Sequence, residues 1–424
     1  MSRRSVTPDA APALPPGATG TDRHGMGFAT FVALIAAMMA VNALAIDSML
    51  PALPAIGASL GIATDNGRQW VITAYLLGFG AAQLFYGLLA DRYGRRPVLL
   101  AGLLIYVLAS AGAAFSASFE VMMVARLLQG VGAAGTRVLS VAIVRDCYAG
   151  RQMARVMSLS FIVFLAVPVL APSIGQLILL VAPWRWIFGV LMLFGAAVML
   201  WAALRLPETL HPQDRRPIAL RPVWNAVART LSQRISLGYT AALTLIMGGL
   251  FGFINSAQQI FADVFHAPAL FPAVFAGIAV FMAIASLLNS RIVGRLGMRR
   301  VSHGAMLGYV IFGMLHTAVA LAGFENIWTF AALQAATMFF FGLMGPNFGT
   351  MAMEPLGDIA GTASAVQGSV NMVIGAVLGF AIGHQFAGTT LPMTLGFSGY
   401  GLLTLLVVLW TERGRLMHPS PNPG

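Results

Sequence analysis

The chain has 424 residues, of which 58% are hydrophobic and 9% charged. A soluble domain carries about 25% charged residues, so the composition excludes a soluble globular fold, a disordered chain and a disulfide scaffold and leaves a polytopic membrane protein. The net charge of +11 is spread too thinly to make a nucleic-acid surface.

Residues 1–25 hold four prolines with Arg3, Arg4 and Arg23, and read as a disordered basic tail. A helix needs about 20 apolar residues to cross a bilayer. Twelve such runs follow, near 28–50, 68–90, 97–117, 120–144, 155–180, 185–206, 236–262, 270–293, 302–322, 327–351, 360–386 and 391–410. The expected fold class is therefore all-α, with twelve transmembrane helices. A long polar interruption at 207–235 separates an N-terminal six-helix bundle (26–206) from a C-terminal one (236–411), and a short tail (412–424) closes the chain. Within the interruption, 222–231 can form an interfacial helix with Trp224, Val227 and Leu231 on one face, or remain a flexible linker.

All 25 basic residues are arginine. With the loops numbered alternately, 21 fall on one side of the membrane and two on the other. Arg126 and Arg137 lie inside the fourth span. Positive charge marks the cytoplasmic side, so both termini are expected there, in a bacterial inner membrane. Cys147 is the only cysteine, which excludes an intrachain disulfide.

The loop between spans two and three is the densest ion cluster. It runs Gly87-Leu-Leu-Ala-Asp91-Arg92-Tyr-Gly94-Arg95-Arg96-Pro97. Gly87 permits close helix contact, Gly94 permits a turn with positive φ, and Asp91 can pair with the arginines or cap a helix. Such a cluster can latch one conformation. Charge alone favours simple topological anchoring instead.

This segment resembles the G-x-x-x-D-R-x-G-R-R signature loop of the major facilitator superfamily at every fixed position. A weaker echo, without the Asp, lies at Arg291, Arg295, Gly297, Arg299 and Arg300. Within the superfamily the chain resembles the bicyclomycin and chloramphenicol resistance type of drug:proton antiporter (Bcr/CflA). The resemblance rests on Asp47-Ser-Met-Leu-Pro51-Ala-Leu-Pro54, Gln83-Leu-Phe-Tyr-Gly87, Arg126-Leu-Leu-Gln129-Gly130-Val-Gly132, Val144-Arg145-Asp146, and Glu354-Pro355 followed by Ala360-Gly361-Thr362-Ala363-Ser364-Ala365. It implies two pseudo-symmetric bundles, a latch that includes Arg145 and Asp146, and a proton-coupling role for Arg126. The fifth span departs from the antiporter pattern. Pro168, Pro172 and Gly175 are present, but two expected glycines are missing.

Charges inside the membrane are costly, roughly 2.5–3.5 kcal/mol for Asp or Arg at the centre, so each is expected to face a cavity or a partner. Asp47 precedes Pro51 and Pro54 in an apolar run. Burial disfavours the charged carboxylate whereas an approaching cation favours it, so proton and cationic substrate would compete for Asp47. The alternative is an Asp hydrogen-bonded to solvent or to Ser48. Arg126 and Arg137, eleven residues apart, share one helix face about 16 Å apart. With Gln129, Gly130 and Ala133 they make a polar, small stripe suited to a cavity wall. Tyr75, Gln129, Arg137, Asn255, Phe340 and Asn347 are candidates to line a substrate cavity, although packing is the commoner use of such residues.

The expected function is a proton-coupled secondary efflux transporter for small, largely apolar or cationic compounds. A transporter for a specific metabolite, such as a sugar or amino acid, is the alternative. No nucleophile–base motif, metal-ligand spacing or P-loop is present. No enzyme activity, cofactor, metal, nucleic acid or ATP is therefore expected, and a monomer suffices.

Overall fold

The computed structural model describes residues 26–418 except positions 63, 149, 219 and 220. The basic tail expected at 1–25 lies outside the described residues. All regular structure among them is helical. In chain order the helices are α1 (Phe28–Asp47), α2 (Leu53–Ser59), α3 (Trp70–Tyr93), α4 (Arg95–Ala114), α5 (Phe119–Cys147), α6 (Gly150–Val181) and α7 (Arg185–Arg205). There follow α8 (Arg221–Ser232), α9 (Arg234–Gln259), α10 (Phe271–Leu296), α11 (Met298–Leu321), α12 (Ile327–Met353), α13 (Ala360–His384) and α14 (Leu391–Thr411). Among the described residues, ten segments are long and apolar enough to cross a membrane, and one of them, 327–384, contains both α12 and α13. The apolar stretch Ala166–Val181 of α6 completes twelve membrane helices.

The first span is broken. Proline cannot donate a backbone hydrogen bond inside a helix. Accordingly α1 stops at Asp47, a short 3₁₀ turn covers Leu50–Ala52, and α2 resumes with Pro54 in its first turn. The break leaves Asp47 at a helix end, where the backbone already departs from the α ladder.

Six packing pairs build the first half: α1 on α5, α6 and α7, α3 and α4 on α5, and α4 on α7. The second half repeats all six: α9 on α12, α13 and α14, α10 and α11 on α12, and α11 on α14. The main contacts between halves, α3 with α13 and α6 with α10, are themselves equivalent under this repeat. The pseudo-symmetry is thus present in the helix pairing, not only in the helix count.

The interruption between the halves contains a helix rather than only flexible chain. Ala226 and Thr230 of α8 are buried, and α8 lies against α13 and α9. Trp224 and Leu231 remain 73% and 59% exposed. Arg229 grips Asp358, between α12 and α13, with two hydrogen bonds of 2.5 and 3.0 Å.

Candidate functional site

The membrane interior holds a sealed polar cluster in the first half. Arg126 is fully buried. Its Nε donates to the Val71 carbonyl of α3 at 2.9 Å, and Nη2 donates to the Ala45 carbonyl of α1 at 3.2 Å. Nη1 donates to Gln129, whose own amide donates to Ser110 of α4 at 2.7 Å. The guanidinium sits 4.5 Å from the Tyr75 ring centroid, a favourable cation–π arrangement. The Tyr75 hydroxyl donates to Asn42 at 2.8 Å. Arg126 therefore ties α1, α3 and α5 together through neutral acceptors, and no carboxylate pairs with it among the described residues. The sequence suggested a cavity wall here. The structure instead closes this level, with Gly130 pressed against the Tyr75 backbone.

Asp47 is 5% exposed and lies two residues beyond Ala45, the Arg126 acceptor. Among the described residues no donor bonds its carboxylate. Ser48, the alternative partner considered from sequence, donates its hydroxyl to the Leu44 carbonyl at 2.7 Å. Helix α6 rests directly on this break: a Cβ at Gly175 would overlap the Ser48 carbonyl oxygen. Pro168 and Pro172 lie within α6 on the same approach.

Of the six cavity candidates, Tyr75 and Gln129 join the Arg126 cluster. Arg137 occupies the same α5 face but is exposed, and no hydrogen bond or ion pair engages it among the described residues. Asn255 is 1% exposed, with neither amide atom partnered. Asn347 exchanges amide hydrogen bonds of 2.9 and 3.1 Å with Asn289 of α10, which pins α12 to α10. Phe340 stacks toward Phe312 and crowds Gly308, both on α11, so it is not brought to the other candidates.

The end of the bundle poor in arginine is tied shut between the halves. Gln69 donates to Gln259 at 2.9 Å and to the Gly383 carbonyl at 2.7 Å. Asn66 donates to the carbonyls of His384 and Phe386 and accepts from Gln259 at 3.0 Å. Trp70 packs on Phe380 with ring centroids 4.3 Å apart. Among the described residues, every side-chain hydrogen bond crossing between the halves belongs to this seal. Sequence reasoning missed Asn66, Gln69 and Gln259, because isolated carboxamides carry no spacing signal.

At the arginine-rich end, Arg95 is 4% exposed and bonds Asp91 at 2.6 Å and Asp146 at 2.9 Å. Gly94 has φ of 102° and begins α4. The cap on α4 is not Asp91 but Glu208, from the polar interruption. It accepts from the Arg95 and Arg96 amides at 2.8 and 3.2 Å, and its carboxylate fills the space a Gly94 side chain would need. Arg96 donates to the Ala203 carbonyl. Arg92 and Arg145 are exposed. Gly87, expected at a close helix contact, has open space where a Cβ would lie.

The second half carries an equivalent clasp. Arg299 bonds Glu354 at the end of α12 (2.8 Å) and Glu412 after α14 (2.9 Å). Tyr239 also donates to Glu412, at 2.6 Å. Glu354 and Glu412 stand at the ends of α12 and α14 as Asp146 and Glu208 stand at the ends of α5 and α7, but Glu412 bonds the Arg299 side chain whereas Glu208 bonds backbone amides. The echo that lacked an Asp in sequence is completed by carboxylates remote in the chain.

Two repeated six-helix halves, a shared interior with few charges and matching ion clasps at one end define a membrane transporter of the alternating-access class. The family model for the Major Facilitator Superfamily matches residues 26–380, and the chain belongs to that superfamily. It is 30% identical over 385 residues to multidrug resistance protein D of Escherichia coli K12, covering 89% of this chain and 91% of that one. It is 32% identical over 349 residues to a chloramphenicol resistance protein of Pseudomonas aeruginosa, covering 80% of each. The crystal structure of a D-xylose-proton symporter shares the fold, with a TM-score of 0.71 at 14% identity, covering 92% of this chain and 98% of that one.

Proposed function

We propose that the protein is a proton-coupled exporter of small, largely apolar compounds, acting as a monomer in a bacterial inner membrane. The arginine-rich end, with both termini, faces the cytoplasm, consistent with the positive-inside rule. The names of the drug-resistance relatives support the substrate class.

The observation that carries proton coupling is the isolation of Asp47. It is the one carboxylate of the described residues set deep in the bundle, at the break in α1, close to the buried Arg126 and under the contact of α6. A partnerless carboxylate inside the bundle is a place where a proton and a charged partner would compete, which suits Asp47 to exchange a proton. Release requires water or a charged partner to reach it, and that access changes as the halves rock. Gly175 keeps α6 seated on the break, so the same movement reaches the Asp47 environment. The loop from Asp91 to Arg96, with Arg145 and Asp146, acts as the latch of the N-terminal half.

The test is drug efflux in everted vesicles under an imposed pH gradient, for wild type and Asp47→Asn. Chloramphenicol transport by wild type should follow the gradient, and the variant should lose that dependence. Unchanged pH dependence in Asp47→Asn would remove Asp47 from the coupling step.

A further inference from the structure

Arg137 is an open cation in the membrane interior. It lies ten residues, about 15 Å, from the arginine-rich end of α5, and is exposed without an acceptor among the described residues. Nearer the arginine-poor end, the same face of α5 meets α1 at Ala45 and α3 at Tyr75. Of the exposed apolar residues of α5, Val121, Val124 and Leu128 lie roughly half a turn from the Arg126 and Arg137 face, Leu127 about a quarter turn from it, and Val141 about one turn beyond Arg137 on the same face. At Arg126 that face is covered by α1 through the Ala45 carbonyl. At Arg137 it is uncovered.

The side chain is also poorly placed to escape to the nearest interface. Helical Cα–Cβ bonds tilt toward the helix N-terminus, which for α5 is the arginine-poor end. The Arg137 side chain thus leaves its helix away from the nearer interface. Gln83 lies at the corresponding depth on α3, on one stripe with Phe79 and Tyr86, which touch α5 at Gly130 and Gly135. It is 7% exposed, faces Gly368 of α13, and its amide donor is unpartnered. Among the described residues the deep interior therefore offers two arginines and an orphan amide donor against a single carboxylate, Asp47.

We propose that Arg137, with Gln83 on the neighbouring helix α3, is an anion-accepting subsite of the transport cavity, so that the substrates include organic anions and compounds with strongly accepting groups. This rests on the transporter reading above and adds a ligand class to the apolar and cationic compounds that the sequence suggested. A guanidinium bonded to an anionic oxygen in a shielded site is among the stronger hydrogen bonds, and an unpaired one waits for such a partner.

The experiment uses the purified full chain and three aromatic probes: naphthalene-2-sulfonate, chloramphenicol and ethidium. Binding is measured by equilibrium dialysis at two ionic strengths. Wild type should bind the sulfonate saturably, and more weakly at high salt. Arg137→Gln should weaken the sulfonate about tenfold or more, and far more than it weakens the cation ethidium, in keeping with loss of a charge-assisted bond. Arg137→Lys should restore most of the sulfonate affinity, and Gln83→Ala should give a smaller loss. An unchanged thermal melting profile shows that each variant is folded. Absence of saturable sulfonate binding by wild type would overturn the proposal, as would equal sulfonate affinity in Arg137→Gln. Proton-driven chloramphenicol efflux by wild type is scored separately, and its failure would count against the exporter reading alone.

Discussion

Single residues do their work here through contacts that are remote in sequence. Glu208 receives two amides at the start of α4 in the position of a helix cap, and such caps contribute about 0.5–2 kcal/mol. Glu208→Ala should lower thermal stability by that order, measurable as a drop in Tm of the purified protein, and should slow transport more than it weakens chloramphenicol binding. At Glu412, burial opposes the ionised form, but hydrogen bonds from Tyr239 and Arg299 outweigh it and hold the carboxyl below its ordinary range. A depressed folded value means that its stabilisation is fully present above the ordinary Glu value of about 4.3 and is lost as pH falls through the folded value. Tm measured against pH should therefore fall on the acid side, and less steeply in Glu412→Gln. Neither role was legible in the sequence. Glu208 and Glu412 stand in polar segments over a hundred residues from their partners, and only folding supplies the distance.

Among whole elements, the α1 break and the helix that lies on it are the sensitive pair. Gly175 leaves no room for a Cβ against the Ser48 carbonyl. Overpacking of this kind costs typically 1–3 kcal/mol, and here the strain would fall beside Asp47. Gly175→Ala should reduce pH-driven transport severalfold while the protein still inserts, as judged by vesicle assays normalised to protein level. The elements themselves were well marked in the sequence, because the bilayer imposes a minimum apolar length and the arginines mark one side of it. The packing faces were less so. Phe340, one of a run of three aromatics, turns to α11, and Asn347 bonds α10 instead of standing free. Apolar length reports that a helix spans, and says little about which of its faces meets a cavity.

Across the whole molecule, the repeat of helix pairs contrasts with an uneven distribution of interior charge. Asp47, Arg126 and Arg137 all belong to the first half, whereas the second half contributes carboxamides and hydroxyls. The two halves meet through the Asn66, Gln69 and Gln259 seal, which must open once per cycle. Removing one partner should favour the open form. With Cys147 replaced by Ser, a cysteine placed at Asn255 should react slowly with a membrane-impermeant maleimide from the sealed side. Gln69→Ala should speed that reaction severalfold. No change in rate would mean that other contacts hold this end closed.

The chain between the halves is fastened at both ends. Glu208 is bound to the start of α4, the Arg216 amide donates to the Asp91 carbonyl at 2.9 Å, and Arg229 is clamped to Asp358. Between these anchors α8 begins, packed on α13 and α9. A protease site inserted after Pro217 should sever the peptide without releasing either half, and the two fragments should co-purify and still bind chloramphenicol.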